Sequence, residues 1–364
     1  MLLWTEAAVL AGSFVLSLGL GLWLTPRVRA AALRFGVLDQ PNQTLKTHRE
    51  PVAYLGGIAV YLAFLIALSL IFEFRGELLG LLLGSTLIVM LGLFDDLRAI
   101  SPGLKLAGQL LAAWVTLRSG ITIELVAVPL AIAIPASVIW IIGVSNAFNI
   151  IDVSDGLSTG TAAVASIGFA LIAILDGDVI LSATCLALAG ATFGFLRYNR
   201  EPASIYLGDA GSLFVGFLLA CLALIGSYTS RNVFAAASPI LILGVPIFDT
   251  VLCSVARIAK GISPMNGSDD HFAIRLKAAG WSARAVARST MGATAIGVIA
   301  SLVMVTTPAS VAAVVLLGFV LAFVGTLLVI YFAFPTPTQR RALQERAVSA
   351  ASAVAESDSL SAHR

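Results

Sequence analysis

Four side chains able to hold a hard cation recur at every third position of N-A-F-N-I-I-D-V-S-D-G-L: Asn146, Asn149, Asp152 and Asp155. No basic residue lies among them, and a long apolar run borders each side. Two carboxylates and two amides this close together repel or compete unless a cation meets them. Taken alone, the stretch also fits a plain helix start with Asp155-Gly156 as the turn.

Other loops carry chemistry of the same kind. Asp95 and Asp96 end an apolar run in G-L-F-D-D-L-R. Two aspartates at a helix C-terminus face its partial negative charge, so a cation is expected nearby. Arg98 is the simplest partner. Lys105 and Gln109 follow on one face of the next helix, which suits a metal-bound phosphate better than a surface pair. One of the two aspartates is then placed to act as a base. Asp209 lies in Y-L-G-D-A-G-S-L-F, where Gly208 and Gly211 let backbone approach a ligand at a helix start. Asn199 adds an amide in R-Y-N-R-E-P. Lys46 and His48 stand in K-T-H-R-E-P-V-A-Y-L-G-G, with Lys46 readable also as an interfacial snorkelling lysine. In D-D-H-F-A-I-R-L, the Arg275 fork suits two phosphate oxygens, and His271 lies beside it.

The elements that must position these groups are membrane helices. Of 364 residues, 59% are hydrophobic and only 12% charged, with mean hydropathy +0.98. A soluble domain carries about 25% charged residues. About eleven apolar runs approach the roughly 20 residues that a span needs. They fall near 3–24, 54–72, 78–94, 105–118, 126–145, 157–175, 180–196, 212–228, 235–256, 289–306 and 309–333. The 105–118 run is short and amphipathic. The first run lacks a basic segment before it and reads as a span, not a removable leader. Cys185, Cys221 and Cys253 all lie in apolar runs and read as small core residues. The expected organisation is one all-α polytopic membrane domain over 1–335. A polar Ala/Ser-rich tail over 336–364 is expected to be disordered or a fraying helix.

Eleven spans put all but Arg75, Arg118 and Arg231 of the 22 Lys and Arg residues on one side of the membrane. Cationic loops stay cytoplasmic. The N-terminus is therefore expected outside, and the tail and the acid-bearing loops inside. The expected location is the inner (plasma) membrane, as a multi-pass protein. The formal net charge is +2, and no nucleic-acid partner is expected. Oxygen donors facing Lys and Arg suit Mg²⁺, with Mn²⁺ as an alternative, bridging substrate phosphates. The chain has no G-x-x-x-x-G-K-[ST] loop, which argues against ATP hydrolysis. Together the residues imply phosphoryl transfer at the cytoplasmic interface, with a lipid as one substrate.

Four motifs in order carry a resemblance. D-D-L-R-A-I-S-P-G-L-K-L-A-G-Q, N-A-F-N-I-I-D-V-S-D-G-L, R-Y-N-R-E-P-A-S-I-Y-L-G-D-A-G-S-L-F-V-G and P-I-F-D-T resemble the polyprenyl-phosphate N-acetylhexosamine-1-phosphate transferases, from about Lys46 to Trp281. The third motif looks closer to the branch that starts O-antigen, enterobacterial common antigen, teichoic acid or arabinogalactan linkage than to the phospho-N-acetylmuramoyl-pentapeptide transferases. The resemblance implies attack of a polyprenyl phosphate on the β-phosphorus of a UDP-N-acetylhexosamine, with release of UMP. By that similarity Asp209 and Asn149 hold Mg²⁺, Asp95 and Asp96 position or deprotonate the lipid phosphate, and Lys105 neutralises phosphate charge. Asp155 and Asn146 lie toward the nucleotide and Asp152 supports the site. Lys46, His48 and Asn199 contribute to substrate binding, and His271 and Arg275 face the diphosphate or sugar. Metal and lysine would spread the charge of an in-line displacement. A homodimer is left open.

Two positions depart from the family's pattern. Val153 stands where D-G-x-D-G-L has glycine, so the local turn is expected to differ. Ala273 and Ile274 replace two histidines of H-x-H-H-R, a loop that helps choose the sugar in this family. Three rivals stand beside the main reading: a transporter with interfacial carboxylates, an enzyme using UDP-N-acetylmuramoyl-pentapeptide, and a non-catalytic relative.

Overall fold

The computed structural model describes residues 4–39, 52–124, 128–263, 267–342 and 344–345. Long helices follow one another with short turns: α1 (Trp4–Phe35), α2 (Gly56–Ser69), α3 (Gly76–Leu97), α4 (Pro102–Arg118), α5 (Leu130–Ile151), α6 (Leu157–Asp176), α7 (Val179–Asn199) and α8 (Gly208–Ile225). A 3₁₀ turn (Val233–Ala237) leads into α9 (Ser238–Ile242) and α10 (Gly244–Ala259), then α11 (Phe272–Ala278), α12 (Ala283–Thr306) and α13 (Ala309–Ala333). One two-residue antiparallel pair, β1 (Leu38–Asp39) with β2 (Val52–Ala53), is the sheet among the described residues. With no water in a bilayer core, backbone groups must be satisfied by the protein itself, and apolar runs of this length do so as helices. Buried hydroxyls obey the same constraint by bonding back along their helix, as Thr25 does to the Gly21 carbonyl at 2.6 Å.

Each of the eleven apolar runs falls on helix. Among the described residues, eight helices are long and apolar enough to cross a membrane alone, and the segment from Val233 through α10, bent by 74° at Leu243, brings the number to nine if it is one span. The two remaining runs form shorter helices. α2 has 14 residues and α4 has 17, or about 21 and 26 Å at 1.5 Å per residue, under the roughly 30 Å of a hydrocarbon core. The molecule is an all-α polytopic membrane protein.

The apolar windows of α6, α7 and α8 are 78%, 72% and 83% buried, against 6% for that of α13. α8 is therefore the interior helix and α13 a peripheral one. α8 packs against α2, α3 and α5, while α7 packs between α1 and α6. Close approach is set by small residues, as bilayer packing requires. A Cβ on Gly57 of α2 would collide with the backbone of Gly211 in α8. The start of the expected tail is also structured: residues 337–342 are helical, and the Thr338 N–H donates to Asp269 Oδ2 at 3.0 Å. The rest of the tail lies outside the described residues, apart from 344–345.

Candidate active site

Ser101 caps α4 by accepting from the Leu104 N–H at 3.3 Å, with Pro102 in the first turn. That start places Lys105 in the opening turn and Gln109 one turn further. Asn146 and Asn149 lie three residues apart near the end of α5, so they share a face. The α5 backbone is fixed against α8 by the Ser145 hydroxyl, which donates to the Leu213 carbonyl at 3.0 Å. The final turn of α3 brings Asp95 and Asp96, and the first turn of α8 brings Asp209. Four helix ends thus converge.

Lys105 is the hub. Its Nζ lies 2.6 Å from Asp209 Oδ2 and 2.9 Å from Asp95 Oδ2, and 3.4 Å from Asn149 Oδ1. The Asn149 amide donates to Asp209 Oδ1 at 2.9 Å and to the Ser212 hydroxyl at 3.0 Å. Gln109 and Asn146 exchange amide hydrogen bonds at 3.2 and 3.1 Å. The side chains of Lys105 and Asp95 are 18% and 15% exposed and that of Asp209 is 34% exposed. The cluster is sheltered yet not sealed.

The paired aspartates at the end of α3 divide their work. Asp96 Oδ1 accepts the Asp209 N–H at 2.7 Å, and Oδ2 accepts the Ala210 N–H at 3.0 Å. It therefore caps the positive end of α8 with both oxygens. Asp95 accepts the Ile100 N–H at 3.0 Å and faces Lys105 with its other oxygen. Arg98 is exposed, and Lys105 is the cation that answers the acids. Gly208, at φ +72°, turns the chain into α8, and a Cβ there would stand 2.7 Å from Asp96 Oδ2.

Among the described residues, the acids around the cleft outnumber the one lysine that pairs with them. Burial, then the negative charges of Asp209, Asp96 and Asp155, pushes the Asp152 carboxyl well above the usual carboxylate range. The Tyr54 phenol is pushed up to about 12 by burial and by Asp96, Asp209 and Asp152. Burial with Asp155 and Asp152 raises Tyr206 to about 12. Both phenols stay protonated beside the acids, with ring centres 6.0 Å apart, edge to face. Asp155 accepts the Ala203 N–H at 2.9 Å, which ties the turn after α5 to the loop before α8. The positive φ in that turn falls on Gly156, at +70°, so Val153 has no left-handed conformation to adopt.

The structure brings Asp95, Asp96, Lys105, Asn146, Asn149 and Asp209 together, with Asp152 and Asp155 at the adjoining turn. Two expected binding residues do structural work instead. Asn199 is 3% exposed; it accepts from Thr159 and donates to the Ile205 carbonyl at 2.9 and 3.1 Å. One end of its amide is spent on α6 and the other on the loop before α8, leaving it as a bracket. Arg275 is 1% exposed, and its guanidinium donates to Asp270 and to the carbonyls of Tyr331 and Phe334 at the end of α13. A fork committed to those acceptors is not a free phosphate clamp. His271 bonds Asp249, away from the Lys105 hub. Ala273 is fully buried, so that position has no room for the family's imidazole. Lys46 and His48 lie outside the described residues. Ser212, Tyr54 and Tyr206 join the site without having been singled out. For Ser212 the signal was its place three residues after Asp209, on the same helix face.

The sequence profile of glycosyl transferase family 4 matches residues 78–227, the segment from α3 through α8. A probable undecaprenyl-phosphate N-acetylglucosaminyl 1-phosphate transferase of Bacillus subtilis (strain 168) is 35% identical over 284 residues, covering 75% of this chain and 78% of the relative. This chain belongs to glycosyl transferase family 4. Among its other family 4 relatives, a decaprenyl-phosphate N-acetylglucosaminephosphotransferase of Mycobacterium tuberculosis (strain ATCC 25618 / H37Rv) is 29% identical, over 84% of this chain and 85% of that one. A phospho-N-acetylmuramoyl-pentapeptide-transferase of Prochlorococcus marinus (strain MIT 9313) is 30% identical, over 72% and 80%. Family 4 here is a family of polyprenyl-phosphate sugar-1-phosphate transferases, which sets the transporter reading aside.

Proposed function

We propose that this chain transfers N-acetylglucosamine 1-phosphate from UDP-N-acetylglucosamine to a polyprenyl phosphate, releasing UMP. The reaction takes place on the cytoplasmic face of the plasma membrane, as the first membrane step of an envelope glycan. One observation carries the reading: a single ammonium, Lys105 Nζ, is held between Asp95 and Asp209, which come from different helices. A lysine pinned by two acids in a half-sheltered cleft is placed to meet phosphate oxygens. The names of the most similar relatives support N-acetylglucosamine as the sugar.

The site suits Mg²⁺, or Mn²⁺. Its donors are carboxylate and amide oxygens, which hard cations prefer. Burial first, and then the neighbouring acids, raise the Asp152 carboxyl, and a cation beside those acids would relieve the second cause. Asp209 and Asn149 would hold the ion, which when bound supplies charge neutralisation on the donor diphosphate. The protein's own groups do the rest. Lys105 turns from its acids toward the transferring phosphoryl group. Asp95, with Oδ2 released, takes the proton when the acceptor phosphate arrives as its monoanion. An acceptor oxygen then bonds to the β-phosphorus as the bond to the bridging oxygen breaks, and UMP leaves with that oxygen. Asp96 keeps the start of α8, and so Asp209, in place.

The test is UMP release by purified protein with polyprenyl phosphate, Mg²⁺ and a panel of UDP-sugars. Release that requires both lipid and metal, and is fastest with UDP-N-acetylglucosamine, is expected. A faster reaction with UDP-N-acetylmuramoyl-pentapeptide would replace the donor, and no release with any donor would overturn the reading.

A further inference from the structure

A second convergence of side chains lies outside the Lys105 cluster, with a different set of donor atoms. Asp249 and Cys253 stand four residues apart on α10, so they share one face a turn apart. His271 immediately precedes α11. The three residues are 0%, 1% and 7% exposed. His271 Nδ1 is 2.8 Å from Asp249 Oδ2 and 3.4 Å from Cys253 Sγ, and the three atoms all lie within 4.8 Å of one another. Asp249 Oδ1 accepts the Phe272 N–H at 2.9 Å, which orients the carboxylate with Oδ2 toward the trio. In sequence Cys253 reads as a small core residue; packing sets its sulfur against an imidazole.

Hydrogen bonding alone leaves this trio incomplete. Nδ1 of a neutral imidazole either donates or accepts. If it donates to Asp249, it has no lone pair for the thiol; if it accepts from the thiol, it has no proton for the carboxylate. A cation at the centre meets all three lone pairs at once. In a tetrahedral site with Zn–N about 2.0 Å and Zn–S about 2.3 Å, the nitrogen and sulfur stand about 3.5 Å apart, and the separation here is 3.4 Å. Nitrogen and oxygen stand about 3.3 Å apart in the same geometry, so Oδ2 has to recede by about half an ångström. A thiolate and a carboxylate together carry the charge that a divalent ion cancels, which matters in a site removed from water.

We infer that Asp249, Cys253 and His271 bind a divalent transition-metal ion of the Zn²⁺ class, with water in the fourth position. The thiol proton leaves to solvent and the imidazole keeps its proton on Nε2. Sulfur and nitrogen donors select this class over Mg²⁺, whose proposed place is Asp209 and Asn149. The ion would fasten the residue before α11 to α10, and α11 in turn packs on α12. None of this depends on the transfer reaction.

The experiment titrates full-length protein, freed of any affinity tag, with Zn²⁺ or Co²⁺ in detergent. Elemental mass spectrometry after gel filtration should find about one Zn²⁺ per chain. Co²⁺ should give tetrahedral ligand-field bands and a thiolate-to-cobalt charge-transfer band. The chain has three cysteines, so C185A/C221A leaves Cys253 as its single thiol and should keep that band. Cys253→Ser should abolish the band and weaken Zn²⁺ binding by about 100-fold, at least what the loss of a supporting residue costs. Zn²⁺ should raise the thermal midpoint of the wild type by about 5 °C and leave that of C253S unchanged. Folded wild type that neither retains Zn²⁺ nor shows the charge-transfer band would overturn the inference. So would a band that survives C253S, or one that is lost from folded C185A/C221A. The wild-type titration decides even where C253S does not fold. Failure of the transfer reading would show as absent UMP release, with the cobalt spectrum unaffected.

Discussion

Asp95 and Asp96 are adjacent in sequence, and their hydrogen bonds set them to different tasks. Asp96 spends both oxygens on backbone N–H groups of α8, so Asp96→Asn puts an amide donor against an amide donor. It should cost about 1–3 kcal/mol of stability, seen as a lower thermal midpoint together with lower turnover. Asp95→Asn leaves that cap alone and removes the group facing Lys105. It should reduce kcat about 100-fold while donor binding by calorimetry stays within a few-fold; an equal loss of nucleotide binding would contradict the assignment. Asp209→Asn, at the centre of the cluster, should abolish transfer in folded protein. Asp152 behaves differently again, because its carboxyl sits well above the usual range. Ionising it costs nothing below the ordinary carboxylate range, and the cost grows as pH rises above it. In EDTA, Asp152→Asn should therefore raise the thermal midpoint at neutral pH by a few degrees and have little effect near pH 4.

At the scale of elements, the site depends on how closely α2, α3 and α8 approach. Gly208 has φ +72° and abuts Asp96. Gly208→Ala adds a Cβ in a left-handed conformation against a carboxylate, and should cost about 1–3 kcal/mol. The start of α8 would shift, so activity should fall with stability; a fully active Gly208→Ala would show that the turn is not what seats Asp209. The loop after α10 follows the same logic of space. Ala273 is fully buried whereas Ile274 is only partly buried. Ile274→His should be tolerated and Ala273→His destabilising, an ordering that melting curves of the two variants check.

At the scale of the molecule, the interior is α6 to α8, and the ends of α3, α4, α5 and α8 converge. An order of eleven spans puts nearly all the cationic residues on one side of the membrane, the side proposed for the reaction. A cysteine at Arg98 should be labelled by an impermeant maleimide only from the cytoplasmic side, and one at Arg118 only from outside. The native Cys185, Cys221 and Cys253 are buried and should give little background. Labelling of both from one side would break the proposed sidedness.

The sequence by itself determined the helices, because its apolar runs approach the roughly 20 residues of a spanning helix, about twice what a barrel strand needs. It also determined the stock of reactive groups, since Asn146, Asn149, Asp152 and Asp155 recur at one spacing, although alone they fit a helix start as well as a cation site. What it could not determine was partnership. The acids at the end of α3 demanded a positive partner, and spacing offered Arg98 as readily as Lys105. Only packing chose Lys105, and only packing gave Asp96 the N-terminus of α8, 113 residues away in the chain. Asn199 and Arg275 look like binding groups in sequence because an amide and a guanidinium carry no label for burial. Tertiary structure spent them on loop and helix-end carbonyls, which must be bonded once they leave water.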